Sequence, residues 1–71
     1  MPAFKAKEVV KILKKLGFEE KRQTGSHLIM YNPQRKHIIP IPIHAKDLKK
    51  GLLKGIIKQA ESTEEEFLKL K

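Results

Sequence analysis

The chain has 71 residues, 16 of them Lys or Arg against 8 Asp or Glu, for a formal net charge of +8, and no cysteine. Residues 1–71 are read as one domain with a small core, because a chain this short buries only about 60% of its unfolded surface. The lack of cysteine excludes disulfides and thiolate metal sites and fits a reducing compartment. No apolar run approaches the roughly 18 residues of a membrane span, so a cytoplasmic protein without a membrane partner is expected. An excess of eight positive charges favours a polyanion, nucleic acid or an acidic protein, since solvation alone would be served by mixed signs.

Residues 5–16 carry Ala6, Val9, Val10, Leu13 and Leu16 at helical spacing. Ile12 widens that stripe, and Lys5, Lys7, Lys11, Lys14 and Lys15 take the other face. Gly17 is placed to close the helix in the left-handed conformation, with Phe18 folding back on its last turn. Phe18 to Thr24 is polar after its first residue and reads as a half-exposed first strand. Gly25-Ser26 then turns the chain into a second strand, His27-Leu28-Ile29-Met30-Tyr31.

After a turn at Asn32-Pro33-Gln34-Arg35, Lys36 to His44 reads as a third strand. Its Pro40 and Pro42 align their missing N–H groups along one side, which an edge strand tolerates and a central one does not. Leu48, Leu52, Leu53, Ile56, Ile57 and Ala60 predict a second helix, with Asp47 or Gly51 as its N-cap. Gly55 inside that pattern suggests close approach to the sheet. Ser62-Thr63-Glu64-Glu65 has the spacing of a capping box, and Phe67, Leu68 and Leu70 give a short last helix one apolar face. The expected fold is α+β, a three-stranded antiparallel meander with helices packed on one face.

The chemistry concentrates at His27, which opens the second strand and is held on a sheet rather than on a mobile loop. Histidine can both take and give a proton near neutrality. Lys21 and Arg22 precede it and Arg35 and Lys36 follow, so a proton-transfer group stands among candidate phosphate-binding cations, the minimum apparatus for cutting RNA. The plain alternative is an ordinary surface or core histidine. Parity groups His27 with Ile29 and Tyr31, and both faces of that strand are apolar enough to be core. His37 falls with Ile39 and Ile43, whereas His44 falls with Ile38, Pro40 and Pro42, so these two point to opposite faces. The three histidines lie in none of the short spacings that zinc sites show, and neither metal nor cofactor is expected. Tyr31 is available to stack on a base, with core filling as its plainer role.

The order of helix, three strands and helix, together with Gly25-Ser26-His27, resembles the HicA toxin family, the mRNA interferases of HicAB toxin–antitoxin systems. Further matches are Leu16-Gly17-Phe18, Ile41-Pro42-Ile43-His44, Lys50-Gly51 and Ser62-Thr63-Glu64-Glu65-Glu66-Phe67. No one motif is specific; their ordered set in so short a chain is. The resemblance implies a fold like the double-stranded-RNA-binding domain, metal-independent endoribonuclease activity on mRNA, and a HicB-like antitoxin that covers the active site. It places the catalytic histidine at His27; the flanking cations Lys21, Arg22, Arg35 and Lys36, with Gly25 and Ser26 of the turn, are the expected RNA-binding residues. A second histidine is common directly after the first in the family, and here Leu28 holds that place. The alternative is a non-catalytic RNA-binding module of the same fold, which would need no titratable group behind Gly25-Ser26.

Overall fold

The computed structural model describes residues 3–44 and 46–71. Its elements are α1 (Ala6–Lys15), β1 (Glu19–Thr24), β2 (His27–Asn32), β3 (His37–Pro42), α2 (Lys50–Gln59) and α3 (Glu64–Leu70). The strands form one antiparallel sheet in the order β1-β2-β3, the expected α+β meander. Among the described residues no helix is long and apolar enough to cross a membrane.

The α1 helix begins where the Glu8 carboxylate accepts the backbone N–H of Lys5 at 2.9 Å, satisfying a donor at the helix start. It ends as expected. Gly17 takes φ +98°, Phe18 N–H donates to the Leu13 carbonyl at 2.9 Å, and Gly17 N–H donates to that of Lys14. These two bonds make a Schellman cap. They also draw Phe18 into the core, so this residue belongs to the cap and not, as the sequence suggested, to the first strand.

One face of the sheet carries Met30, Ile39 and Ile41, all fully buried beneath Val9, Ile12 and Leu13 of α1 and Leu53 and Ile56 of α2. Each such side chain stabilises the fold by about 1.5–3 kcal/mol relative to exposure. Phe4 and Phe67 close the far side of the core, edge to face, with ring centroids 6.2 Å apart. The apolar stripe of α2 is narrower than expected. Leu53, Ile56, Ile57 and Ala60 are buried, but Leu52 sits one residue off their line and is 45% exposed. Likewise Leu68 points away from Phe67 and is 44% exposed.

Other local expectations are corrected. β1 is exposed along its whole length rather than half-buried. The third strand stops at Pro42, and Ile43 and His44 turn away, although Ile43 N–H still donates to the Ser26 carbonyl at 2.9 Å. That bond fixes the alternation of the ladder. Ile41 and Ile39 bond to β2, so Pro40 and Pro42 lie where no N–H is called for, on the free edge. Neither Asp47 nor Gly51 caps α2; its N-cap is Lys49, in extended conformation and without a side-chain bond. The cap of α3 is Thr63, one residue later than the motif suggested, and its hydroxyl accepts the Glu66 N–H at 3.1 Å.

Gly55 does not mediate a close approach, because a Cβ built there meets nothing within 4 Å. Its helical position therefore carries only the entropic cost of glycine. Gly55→Ala is expected to stabilise the protein by about 1 kcal/mol, raising the melting temperature by about 4–8 °C, as read by thermal unfolding. An unchanged or lower melting temperature would contradict this account of the α2 face.

Candidate active site and nucleic-acid interface

The two-residue turn at Gly25-Ser26 joins Thr24 to His27, which are register partners. Gly25 has φ +58° and open space around its Cβ position, so the backbone angle rather than room demands glycine. A glycine at positive φ in the first position is the pattern of a II′ hairpin turn, whose twist matches that of the strands. The Gln23 side chain donates to the Gly25 carbonyl at 3.3 Å, and Ser26 is tied to β3 through Ile43. The turn is thus anchored on both sides, and His27 begins a strand that is paired along both its edges.

The register resolves which way His27 points. Leu28 and Met30 face the helices, so His27, Ile29 and Tyr31 occupy the opposite face, and the His27 side chain is exposed. Their partners on β3 are Pro42, Pro40 and Ile38, the last 46% exposed. Their partners on β1 are Thr24, Arg22 and Glu19. The register shifts between Glu20 and Arg22, leaving Lys21 as the extra residue of a β-bulge. The Lys21 ammonium then reaches over the Tyr31 ring, 4.9 Å from its centroid. His27, Lys21, Arg22 and Tyr31 therefore share one open sheet face, with the imidazole at the end of its central strand.

The other basic candidates are not part of that group. Arg35 and Lys36 lie in the β2–β3 turn, at the opposite end of β2. About 17 Å of strand separates them from His27, at roughly 3.4 Å per residue. The Asn32 side chain holds that turn, accepting the N–H groups of Gln34 and Arg35 at 3.0 and 3.2 Å, and is itself only 5% exposed. Arg35 makes an ion pair with Glu61 at the end of α2. Lys36 takes φ +54° and stays exposed.

Strand parity places His37 but not His44, because β3 ends at Pro42. His37 opens β3 opposite Asn32, on the helix side, and its Nε2 is buried without a partner among the described residues. His44 is exposed in the turn after β3, next to the bond that ties Ile43 to Ser26. Among the described residues no group of three or more His, Asp or Glu is placed to hold a metal ion.

The sequence did not mark Lys5, Lys7 and Lys46 as site residues. The first two read as solvated helix lysines, yet all three line one cleft beside the Gly25-Ser26 end of the sheet.

Residues 6–61 match the sequence model of a family described as the HicA toxin of bacterial toxin–antitoxin systems. The match runs from the first residue of α1 to Glu61, one residue past the C-cap of α2, and so includes the whole sheet and His27. No curated protein matches the sequence. The chain belongs to the HicA toxin family, and its partner is accordingly an antitoxin.

Proposed function

We propose that this toxin is an endoribonuclease that cuts mRNA without a resident metal, that His27 carries the proton transfer, and that a HicB-like antitoxin neutralises it by covering His27. The observation that carries the reading is the exposed imidazole at the end of the central strand of an open sheet face, fixed by the Gly25-Ser26 turn and accompanied by Lys21 and Arg22.

In this reading His27 takes the proton from a ribose 2′-OH. The 2′ oxygen attacks the adjacent phosphorus, the bond to the 5′ oxygen of the next nucleotide breaks, and that oxygen leaves by taking a proton from water. The products are a 2′,3′-cyclic phosphate and a free 5′-OH. Lys21 and Arg22 offset the charge that builds on the phosphorane oxygens. Gly25 and Ser26 present a small, close-approach surface for the backbone, and Arg35 and Lys36 hold phosphates farther along the strand. With one imidazole only one of the two proton transfers is assisted, so turnover is expected to be slow.

The antitoxin would cover an apolar strip as well as a charged one. Ile29, Tyr31, Ile38 and Pro40 lie on the same open face as His27, and the net +8 would steer an acidic partner onto it.

Incubating the purified protein with a defined transcript tests the proposal. Cleavage is expected to persist in EDTA and to stop when antitoxin is added. RNA affinity is expected to fall steeply with salt, because each neutralised phosphate releases counterions. Loss of cleavage in EDTA with recovery on adding a divalent ion would overturn the metal-independent chemistry. Affinity that stays flat between low and physiological salt would remove the electrostatic part.

A further inference from the structure

The β2 and β3 strands end beside a concavity on the helix side of the sheet. Lys5, Ala6 and Lys7 at the start of α1 form one wall, and Ile43, His44, Lys46 and Asp47 form the other, around a volume of about 480 Å³. A second hollow of about 200 Å³ adjoins it and shares Ala6, Lys7 and Ile43, with Val10 and Leu28 as its floor. The first volume lies within the roughly 300–1,000 Å³ of small-ligand clefts.

We infer that this cleft is a nucleotide subsite of the RNA track, with a phosphate held by Lys5, Lys7 and Lys46 at its rim and an unpaired base laid on Val10, Leu28 and Ile43. The inference rests on the ribonuclease reading of His27 and adds to it where a flanking nucleotide is held.

The chemistry of the walls decides the occupant. The floor is apolar and offers little to a polar chain, whereas the rim offers three ammonium groups and the His44 ring against one carboxylate, Asp47. Glu8, the next acid along α1, accepts the Lys5 backbone N–H and lies 3.7 Å from the Lys71 ammonium. A flat apolar body with an anionic edge meets both requirements, and an RNA nucleotide that has left its stack is such a group. The charge sign of the whole chain agrees with that choice.

Position links the cleft to His27. Leu28 on its floor is the chain neighbour of His27, and Ile43 in its wall is bonded to Ser26 and follows Pro42, the register partner of His27. The cleft and the imidazole thus lie on opposite faces of the same end of the sheet, and an RNA strand passing around the Ser26–Ile43 corner reaches both. A duplex is too stiff for that path, so the subsite selects a single-stranded segment.

The test uses the full-length protein carrying His27→Ala, so that RNA survives, and a fluorescein-labelled single-stranded oligoribonucleotide. Adding Lys7→Ala and Lys46→Ala is expected to weaken binding at low salt by an order of magnitude or more. It should also reduce the slope of log affinity against log salt by about 0.7, the share of one phosphate contact on a single strand. In a separate titration of the unsubstituted cleft, a 5′-ribonucleoside monophosphate is expected to shift the methyl resonances of Val10, Leu28 and Ile43, whereas inorganic phosphate leaves them in place.

Unchanged affinity and slope in the double variant would overturn the subsite, and so would methyl resonances indifferent to the nucleotide. If the double variant lost antitoxin binding but kept RNA binding, the cleft would belong to the partner protein and the inference would fall. None of these results touches the ribonuclease reading, which stands or falls on cleavage by the wild-type protein.

Discussion

Replacing His27 with alanine is expected to abolish RNA cleavage and toxicity while leaving the fold and RNA affinity nearly intact. Removing a group that moves a proton in the transition state costs on the order of 10²–10⁴ in rate. The fold should survive, because the side chain is exposed and substitutions at such positions usually change stability by within about 0.5 kcal/mol. Binding should survive because phosphate contacts fall to lysine and arginine. His37→Ala is the control for activity. That ring lies at the far end of β2 from His27 and on the other face of the sheet, so most cleavage should remain. The comparison needs cleavage rate, melting temperature and RNA affinity on the three proteins side by side. A His27→Ala protein that melts far earlier would make the histidine structural. One that cuts at the wild-type rate would move the reading to an RNA-binding module.

The second large effect lies away from the site. Phe67→Ala is expected to destabilise the protein by about 3–5 kcal/mol, the usual range for emptying a fully buried phenylalanine position. Phe67 is wholly buried and meets the equally buried Phe4, and both residues lie outside the segment that matches the family. At roughly 0.05–0.15 kcal/mol per residue the whole 71-residue chain is stable by only about 4–10 kcal/mol. The substitution therefore removes about half of what holds the fold together. Denaturant unfolding measures it directly, with Leu68→Ala as the neighbour on the exposed side of α3, expected within about 0.5 kcal/mol of wild type. Equal losses for Phe67→Ala and Leu68→Ala would show that α3 does not complete the core.

The sequence was most legible where one local signal decides the structure. Helical spacing from Ala6 to Leu16, glycine at position 17 and the paired prolines of β3 each have one physical solution, and the structure adopts it. Legibility failed where tertiary position decides. Phe18 has the composition of a strand residue, but the cap bonds of α1 pull it into the core. β1 gives no alternation to read because both its faces are exposed and Lys21 adds a residue to the register. Leu52 has the right polarity for the stripe and the wrong angle by one position.

For the site, nearness in the chain proved a mixed guide. Lys21 and Arg22 are brought onto the face of His27 by the hairpin, whereas Arg35 and Lys36, flanking it on the other side in sequence, are carried to the far end of the sheet. The cleft beside Ser26 is lined by Lys5, Ala6, Lys7 and Val10, by Leu28, and by Ile43, His44, Lys46 and Asp47, three segments that meet only after folding, so no linear pattern announces it.

If His27 drives the attack of a ribose 2′ oxygen on the neighbouring phosphate, the ends of the cut fragments carry its signature. A defined transcript is digested with the purified protein in EDTA, and the new termini are identified by mass spectrometry. Fragments ending in 2′,3′-cyclic phosphate with free 5′-OH partners are expected, absent from a parallel digest with His27→Ala. Fragments bearing 3′-OH and 5′-phosphate, or a transcript left whole by the active toxin, would contradict it.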